Sequence, residues 1–496
     1  MDDSHNAQDL LAGPFATLPQ LIALHARDQG DRVALIHEGR TLDYAGLDVM
    51  MDRIAAALQR EGVGKGDAVA IVATTSIPYA LAFLGALRAG AVPTPIAPSS
   101  TEEQIAAMVA DCRAKIVFDE AKLANLEAWL APAGAKPARV ELAPGDPFNI
   151  IYSSGTTGTP KGIVQSHAMR WSHINAARAV GFSDAVTMIS TPLYSNTTLV
   201  SFLPTLAYGG TALLLGKFDA VRFLQAAERH RATHAMLVPV QYARLMAVPD
   251  FDRYDLSSFR VKTSTSAPFS AALKADIVAR WPGLLVEYYG MTEGGGSTVL
   301  ICNYFPDKLH TVGRPGEGHD IRLIDDDGNE VAQGEMGEVV GRSPAMMSGY
   351  FGRGEATSAA EWYDRHGNRF IRHGDVGRFD EDGFLTLLDR KKDVIISGGF
   401  NVYPSDIEAV LAEHPDVADG TVVGVASEAW GETPVGFYVP RANADDSAAE
   451  ILGWVNDRVG KTQRLSDLRA VEDLPRSAIG KVLKRELRDA YAGAAA

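Results

Sequence analysis

The chain has 496 residues, more than one hydrophobic core supports, so at least two domains are expected. Its formal net charge of −15 argues against a nucleic acid or an anionic membrane as a partner. The two cysteines, Cys112 and Cys302, lack the paired spacing of a disulfide framework or a zinc site. The acidic stretch 1–13 resembles no targeting peptide, and no apolar run reaches the length of a membrane span. These features favour a cytoplasmic location.

Strand and helix patterns alternate along the first half of the chain. Residues 33–36 and 68–73 form the short apolar runs of strands. Residues 44–60 and 79–89 carry apolar side chains at helical spacing. Further strands are predicted over 185–190 and 233–238. This alternation predicts an α/β fold with doubly wound, mostly parallel sheets.

The most informative stretch is the loop 152–162, which reads Tyr-Ser-Ser-Gly-Thr-Thr-Gly-Thr-Pro-Lys-Gly after the apolar strand 148–151. Glycines let backbone N–H groups converge on an anion, hydroxyls add donors, and Lys161 adds charge, which suits the phosphates of a nucleotide. A solvated linker is the alternative, but a linker needs no Pro-Lys-Gly behind a buried strand. The loop is not a Walker A motif, because Pro160 and Gly162 stand where that motif has Gly and Ser or Thr.

Two further polar stretches follow predicted strands. Residues 192–198, Pro-Leu-Tyr-Ser-Asn-Thr-Thr, open a helix where a ligand crevice often lies, although a plain helix start is an equally good interpretation. In residues 287–293, Glu-Tyr-Tyr-Gly-Met-Thr-Glu, Glu293 closely follows the hydroxyl of Thr292, which suits a Mg²⁺–phosphate site. Tyr289 offers a flat face for a base. Alone, these tyrosines would be typical of a core.

The last third of the chain carries weaker patterns. Residues 373–375, His-Gly-Asp, are predicted as a turn whose aspartate could accept hydrogen bonds from ribose. Strands predicted over 384–389 and 394–396 are joined by a charged run, which favours a domain border. A helix is predicted over 404–411. Lys481, which precedes a basic helix, would by itself be interpreted as one more solvent-exposed lysine.

Taken in this order, the motifs resemble those of the ANL superfamily of adenylate-forming enzymes, in its acyl- or aryl-CoA synthetase branch. The resemblance extends from about Leu18 to the helix after Lys481. It implies a large N-terminal domain over 14–389 that holds ATP and an acyl pocket, and a small mobile α+β lid domain over 390–496 with a hinge near Lys392. It also implies two half-reactions, in which ATP and a carboxylic acid give an acyl-adenylate, and a thiol then displaces AMP.

The resemblance also implies a role for each matching residue. Lys481 would bridge the carboxylate and the α-phosphate during adenylation, Thr292 would contact the α-phosphate, and Glu293 would bind Mg²⁺. The residues that would bind ATP are Ser153, Thr156, Thr157 and Lys161 for the pyrophosphate, Tyr289, Ser266, Ala267 and Pro268 for adenine, and Asp375 and Arg390 for ribose. The residues that would bind coenzyme A are Gly398, Gly399, Phe400 and Arg464. Around Arg464, Gln463 and Leu465 depart from the more basic pattern of some relatives.

The substrate pocket implied by the resemblance has a polar wall. Its residues would be Tyr194, Ser195, Asn196, Thr197, Ser201, Tyr288 and Gly290. Ser195 replaces the histidine of many relatives, and Gly290 replaces the tryptophan that shortens the pocket in acetate-using relatives. Tyr288 stands where glycine is common. We therefore expect an AMP-forming carboxylic acid–CoA ligase that uses ATP, Mg²⁺ and coenzyme A on a medium-sized or aromatic acid.

The sequence leaves three alternative functions to be weighed. A stand-alone enzyme that loads a carrier protein is the first alternative, although the stretch near Tyr194 lacks the aspartate of amino-acid activators. A luciferase-like oxygenase activity is the second. A degenerate nucleotide-binding protein is disfavoured, because Glu293, Asp375, Arg390 and Lys481 are all present. The acid and the oligomeric state are not predicted.

Overall fold

The structure, a computed structural model, describes residues 6–152, 160–398, 400–442, 444–445, 447–477 and 480–495. The chain divides into two compact units, the first with residues 1–320 and 341–371, and the second with residues 321–340 and 372–496. The second unit thus contains residues that precede the predicted domain border at 389/390. The border at 389/390 marks where a mobile lid domain is predicted to begin. Division into compact units does not test which segment moves, so this border stays a prediction.

The helices and strands follow each other along the chain as the alternating pattern predicts. The helices are α1 (Ala7–Ala12), α2 (Leu18–Asp28), α3 (Tyr44–Arg60), α4 (Ile77–Arg88), α5 (Glu102–Asp111), α6 (Glu120–Ala124), α7 (Leu126–Trp129), α8 (His167–Ala176), α9 (Asn196–Ala207), α10 (Ala220–Arg229), α11 (Pro239–Met246), α12 (Ala271–Arg280), α13 (Gly354–Ala359), α14 (Pro404–Ala412), α15 (Ala448–Asn456) and α16 (Lys484–Ala495). The strands are β1 (Val33–His37), β2 (Arg40–Asp43), β3 (Ala68–Val72), β4 (Val92–Ile96), β5 (Ile116–Asp119), β6 (Pro147–Tyr152), β7 (Gly162–Ser166), β8 (Val186–Ile189), β9 (Thr211–Leu214), β10 (His234–Leu237), β11 (Val261–Ser264), β12 (Leu284–Met291), β13 (Gly294–Ile301), β14 (Arg314–Pro315), β15 (Asp320–Ile324), β16 (Met336–Arg342), β17 (Gly349–Tyr350), β18 (Glu361–Tyr363), β19 (Arg369–Phe379), β20 (Leu385–Arg390), β21 (Ile395–Ser397), β22 (Phe400–Val402), β23 (Val417–Ser427), β24 (Gly431–Pro440) and β25 (Asp467–Ala470).

The largest sheet of the described residues lies in the first unit and has nine strands, in the order β14-β13-β12-β11-β10-β8-β9-β1-β2. Neighbouring strands from β12 to β1 are parallel, whereas β13, β14 and β2 pair antiparallel at the two edges. A second sheet, β4-β3-β5, is also parallel. The predicted α/β fold with mostly parallel sheets is therefore confirmed.

The core of the first unit contains helices α3 and α4. Asp43 caps α3 by accepting a hydrogen bond from the Gly46 amide at 2.7 Å, and Ser76 caps α4. The apolar face of α3, with Leu47 and Ile54, lies in the same buried cluster as Phe148 of strand β6. Strand β6 pairs antiparallel with β7, so this core positions the two strands that precede and follow the phosphate loop.

The second unit has its own sheet, β22-β21-β24-β23, with β25 paired to β24. Ile407 and Leu411 of α14 and Ile451 of α15 form a buried cluster against this sheet. None of the described helices in either unit is both long enough and apolar enough to cross a membrane.

The predicted turn at 373–375 is wrong, because strand β19 continues through these residues. From Asp375 onward, β19 pairs antiparallel with β20, with Asp375 opposite Arg390. Gly374 adopts φ +70°, and its carbonyl accepts a hydrogen bond from the Lys391 amide at 2.9 Å. A glycine permits this local irregularity without ending the strand.

Candidate active site

The turn between β12 and β13 holds Thr292 and Glu293. The two strands pair antiparallel, with Met291 opposite Gly294. Gly294 has φ +82°, and a Cβ there would overlap the backbone of Ala345, so this turn requires glycine. The two predicted site residues therefore lie in a tight turn whose conformation is fixed by neighbouring backbone.

Glu287, at the start of the same motif, has a structural role. It is buried in β12 and forms an ion pair with Lys274 of α12. The Lys274 ammonium also donates to the carbonyls of Leu309 and Thr311, at 2.8 and 3.1 Å. These contacts fix α12 and β12 to the chain that follows them, which supports the turn that carries Thr292.

Tyr350 connects Glu293 to Lys161. Its hydroxyl donates to Glu293 Oε1 at 2.9 Å, and Lys161 Nζ lies 5.0 Å from the centroid of its ring. Burial and the neighbouring carboxylate raise the pKa of Tyr350, so the hydroxyl stays protonated and donates. Sequence reasoning missed Tyr350, for which the only signal is a tyrosine among the glycines of 349–352. The structure thus brings the predicted cation and the predicted carboxylate to the two sides of one tyrosine.

The phosphate loop itself falls largely outside the described residues. Ser153, Thr156 and Thr157 lie in the undescribed segment, so their roles stay predictions. The strands on either side are described, and Tyr152 pairs with Gly162 across them. The Tyr152 hydroxyl donates to Asp111 at 2.7 Å, which anchors the start of the loop to α5.

One hydrogen bond joins the predicted adenine wall to the predicted acyl pocket. The hydroxyls of Thr197 on α9 and Ser266 are 2.6 Å apart. Ser266 has φ +83°, an uncommon conformation for a non-glycine residue and one that clusters at functional sites. Ala267 and Pro268 follow it directly, and Tyr289 lies on β12 opposite Thr298.

A buried polar network that sequence reasoning missed lies between β6, β7 and α8. The Gln165 amide donates to the Thr292 carbonyl at 2.8 Å and to Asn196 Oδ1 at 3.3 Å. Its Oε1 accepts from Asn149 at 3.0 Å and from Arg170. The signal in the sequence is the two amide side chains within otherwise apolar strands. The network ties the predicted pocket residue Asn196 to the turn that carries Thr292.

The remaining predicted pocket residues differ in their surroundings. Ser195 stands at the N-cap position of α9, where its side chain makes no cap hydrogen bond, and it is 8% exposed. Tyr288 is half-buried, and burial raises its pKa. A Cβ at Gly290 would lie 2.7 Å from the Ser297 hydroxyl. Tyr194 is close enough to Ser99 for a hydrogen bond that opposes the effect of burial on its pKa, and Ser201 is buried.

Asp375 and Arg390 lie together in the second unit. They are paired across β19 and β20, with Arg390 Nε 3.3 Å from Asp375 Oδ1. Lys481 lies on a different element, a short hairpin closed by a bridge between Arg476 and Val482. Within it, the Ser477 amide donates to the Lys481 carbonyl at 2.8 Å.

The predicted coenzyme A residues lie around another hairpin of the second unit. Gly398 follows β21 with φ +59°, and its amide donates to the Trp430 carbonyl at 2.8 Å. Phe400 begins β22 and is 62% exposed, whereas Gly399 lies outside the described residues. Arg464 is exposed at the end of a short 3₁₀ helix. Their contacts with coenzyme A stay predictions.

The predicted hinge residue Lys392 lies in the turn between β20 and β21. Burial lowers its pKa, and the carboxylate of Asp393 opposes that effect. Asp393 also forms an ion pair with Arg488 of α16 at 2.8 Å. The turn is therefore charged and partly buried, and its role as a pivot stays a prediction.

Comparison with known proteins agrees with this arrangement of motifs. The profile of a family described as AMP-binding enzyme matches residues 22–351, and that of the AMP-binding enzyme C-terminal domain matches residues 406–481. The chain belongs to the AMP-binding enzyme family. The predicted superfamily and enzyme class, an AMP-forming acid–CoA ligase that uses ATP, Mg²⁺ and coenzyme A, are confirmed by this membership and by the relatives below.

Several named enzymes resemble nearly the whole chain. A feruloyl-CoA synthase from Amycolatopsis sp is 33% identical over 93% of this chain and 96% of its own length. An indoleacetate–CoA ligase from Aromatoleum aromaticum is 31% identical over 96% and 98% of the two chains. Among solved structures, ATP-bound MatB from Rhodopseudomonas palustris superposes with a TM-score of 0.83 at 28% identity, covering 96% of this chain and 99% of that one.

Proposed function

We propose that the protein activates an aromatic or medium-sized carboxylic acid as its adenylate and transfers the acyl group to coenzyme A, with the residues assigned above. The observation that carries the residue assignment is the Lys161–Tyr350–Glu293 cluster beside the Thr292 turn. The aromatic acid is supported by the relatives, which are named for feruloyl and indoleacetate substrates. It is also supported by the polar and aromatic side chains of the predicted pocket.

The first half-reaction, adenylation of the acid, must bring together two groups that are both negatively charged. A carboxylate is a weak nucleophile, and the anionic α-phosphate repels it, so fixed cations and donors must neutralise both. Lys161 is assigned to the departing pyrophosphate, and Thr292 to the α-phosphate. Lys481 is assigned to the carboxylate and the α-phosphate together, because an ammonium suits a point contact between two oxygens.

The metal assignment rests on Glu293. Among the residues that the structure describes, no group of three or more His, Cys, Asp or Glu side chains could hold a metal ion. This fits Mg²⁺, which is typically held by one or two carboxylates together with phosphate oxygens and water. When bound, Mg²⁺ would neutralise phosphate charge. Tyr350 donates to Oε1 of Glu293, which orients the carboxylate that would hold the metal.

The residues of the second unit complete the assignment. Asp375 accepts from ribose hydroxyls, and Arg390, 3.3 Å away, holds that carboxylate in place. For the second half-reaction, the Gly398-Gly399-Phe400 hairpin is assigned to the pantetheine arm, where glycines allow close approach of a narrow ligand. We assign Lys392 as the pivot that exchanges this hairpin with Lys481.

The experiment that tests the function measures AMP release with and without coenzyme A across a panel of aromatic and medium-chain acids. We expect an acyl-CoA product, with AMP formed in equal amount. A thioester formed only on an added carrier protein would establish the alternative function, the loading of a carrier. Hydrolysis of ATP that is independent of every acid would contradict both functions.

We further propose that the enzyme acts in the cytoplasm. The proposal is supported by two buried free cysteines, Cys112 and Cys302, as expected in a reducing compartment. Fractionation of cells that express the protein, followed by detection in the cytosolic or another fraction, tests it directly.

A further inference from the structure

Arg170, on helix α8, is a buried cation whose charge no described carboxylate compensates. The side chain is 1% exposed. Its Nε donates to Asn149 Oδ1 at 2.9 Å and its Nη2 donates to Gln165 Oε1, both of them neutral amides. Its Nη1 is buried and has no hydrogen-bond partner among the described residues. A buried charge and an unpaired donor are both costly, so this geometry indicates a group that the described chain does not supply.

His173 lies one helical turn after Arg170, on the same face of α8. Its Nδ1 is also buried and without a partner among the described residues. Burial lowers the pKa of His173 to about 3, and the charges of Arg170 and His319 act in the same direction. The imidazole is therefore neutral, so one of its nitrogens can accept a hydrogen bond.

His173 is only half-buried as a residue, although its Nδ1 is buried. His173 and Tyr288 are both surrounded by enough protein for burial to shift their pKa values, yet both keep solvent-accessible surface. Gly290 is likewise exposed, although it lies within strand β12 of the large sheet. Tyr288 and Gly290, two residues of the predicted acyl pocket, therefore keep surface that a substrate can contact.

Two sets of contacts connect Arg170 and His173 to the predicted acyl pocket. On one side, Gln165 accepts from Arg170 and donates to Asn196 Oδ1 at 3.3 Å. On the other side, His319, whose charge acts on His173, accepts from the Ser297 amide at 2.7 Å. The Ser297 hydroxyl fills the space beside Gly290. Arg170 is therefore linked through Gln165 to Asn196, and His173 is linked through His319 and Ser297 to Gly290.

We propose that the acid carries a hydrogen-bond-accepting oxygen at the end remote from its reacting carboxylate, and that Arg170 and His173 bind this oxygen. The proposal rests on the proposed function, since it concerns the acid of that reaction. A hydroxyl would accept from Arg170 Nη1 and donate to His173 Nδ1, whereas a second carboxylate would compensate the charge of Arg170. A methyl group at this place would leave Nη1 unpaired, and sites built around a hydrogen bond reject such analogues strongly.

The first test uses the unaltered enzyme and coenzyme A-dependent AMP release. Benzoic and phenylpropenoic acids with a para hydroxyl, carboxylate or methyl group form matched series. We expect kcat/KM for the hydroxyl or the carboxylate acid to exceed that for the methyl acid by at least roughly tenfold. Equal values, or a preference for methyl, would overturn the proposal, while thioester formation from the methyl acid would leave the proposed function intact. No thioester from any acid of the panel would count against both.

The second test uses variants of the two residues. Arg170→Met should bring the ratio of kcat/KM between hydroxyl and methyl acids to about one. A merely structural Arg170 would lower both values and keep the ratio. The control Arg253→Met changes an exposed arginine and should keep the wild-type ratio. His173→Phe removes the acceptor and should reduce the preference for the hydroxyl acid, with the preference for the carboxylate acid retained. Wild-type ratios in both variants would overturn the assignment.

Discussion

One side chain, Tyr350, contacts both of the oppositely charged groups of the predicted ATP site, Lys161 and Glu293. Tyr350 lies between the Lys161 ammonium and the Glu293 carboxylate, which would otherwise be free to form an ion pair with each other. Because the hydroxyl donates to one carboxylate oxygen, it orients Glu293 before any ligand is bound. Preorganised groups of this kind stabilise developing charge without a reorganisation cost during the reaction.

The variant Tyr350→Phe tests this role. It keeps the ring near Lys161 and removes only the hydrogen bond to Glu293. We expect kcat/KM for MgATP in acid-dependent pyrophosphate exchange to fall roughly tenfold, the scale of one hydrogen bond to a charged group. The matched control is Tyr363→Phe, which removes a tyrosine–glutamate hydrogen bond of the same length, 2.9 Å, at an exposed site. Equal rates in the two variants would show that Tyr350 does not act on the metal ligand.

Lys481 gives a second test at this scale. If it stabilises only the adenylation transition state, Lys481→Ala should slow that step by roughly 10²–10³-fold. Preformed acyl-adenylate should still react with coenzyme A at a near-normal rate. Lys217→Ala, which changes an exposed lysine of the first unit, is the control. Equal losses in both half-reactions would remove the assigned role.

Elements differ in how far the sequence alone predicts them. Helix α3 has the bounds expected from its periodicity, 44–60, because its apolar face and its Asp43 cap are both local features. The turn expected at 373–375 is instead part of β19, because pairing with β20 is a long-range contact that a turn-like triplet does not reveal. The Gln165–Arg170 network was missed for the same reason, since its members come together only through long-range contacts such as that between Gln165 and Thr292.

The two buried histidines of helix α8 should make the stability of the protein depend on pH. Burial lowers the pKa of His167 to about 4 and that of His173 to about 3. Below about pH 6.5 the unfolded chain binds protons at these sites and the folded chain does not, so the free energy of unfolding falls as the pH falls. Each such histidine contributes a loss of about 1.4 kcal/mol per pH unit within its window.

The measurement is urea unfolding at pH values between 7.5 and 5. His167→Asn should make the pH dependence of the unfolding free energy shallower by about one proton, whereas His310→Asn, at an exposed position, should not change it. A free energy of unfolding that rises as the pH falls through this range would contradict the account.

At the scale of the whole molecule, the assigned residues divide between the two units. Thr292, Glu293 and Lys161 belong to the first unit, and Asp375, Arg390 and Lys481 belong to the second. Lys481 and the Gly398 hairpin lie on separate elements of the second unit and are assigned to successive half-reactions. A rotation about a few backbone dihedrals is the usual way to exchange two such elements at one site.

The variant Lys392→Pro tests the proposed pivot. Proline fixes φ near about −65° and so restricts rotation at this residue. We expect acid-dependent pyrophosphate exchange to be retained and most coenzyme A thioester formation to be lost, both measured on one preparation. Thioester formation at the wild-type rate would mean that the pivot is elsewhere or is not needed.

Isotope transfer shows whether the acid attacks the α-phosphate of ATP. The enzyme is given an acid labelled with ¹⁸O in its carboxylate, together with ATP, Mg²⁺ and coenzyme A, and the products are analysed by mass spectrometry. The account predicts AMP that carries one labelled oxygen and pyrophosphate that carries none. Label in inorganic phosphate, with ADP as the nucleotide product, would contradict it.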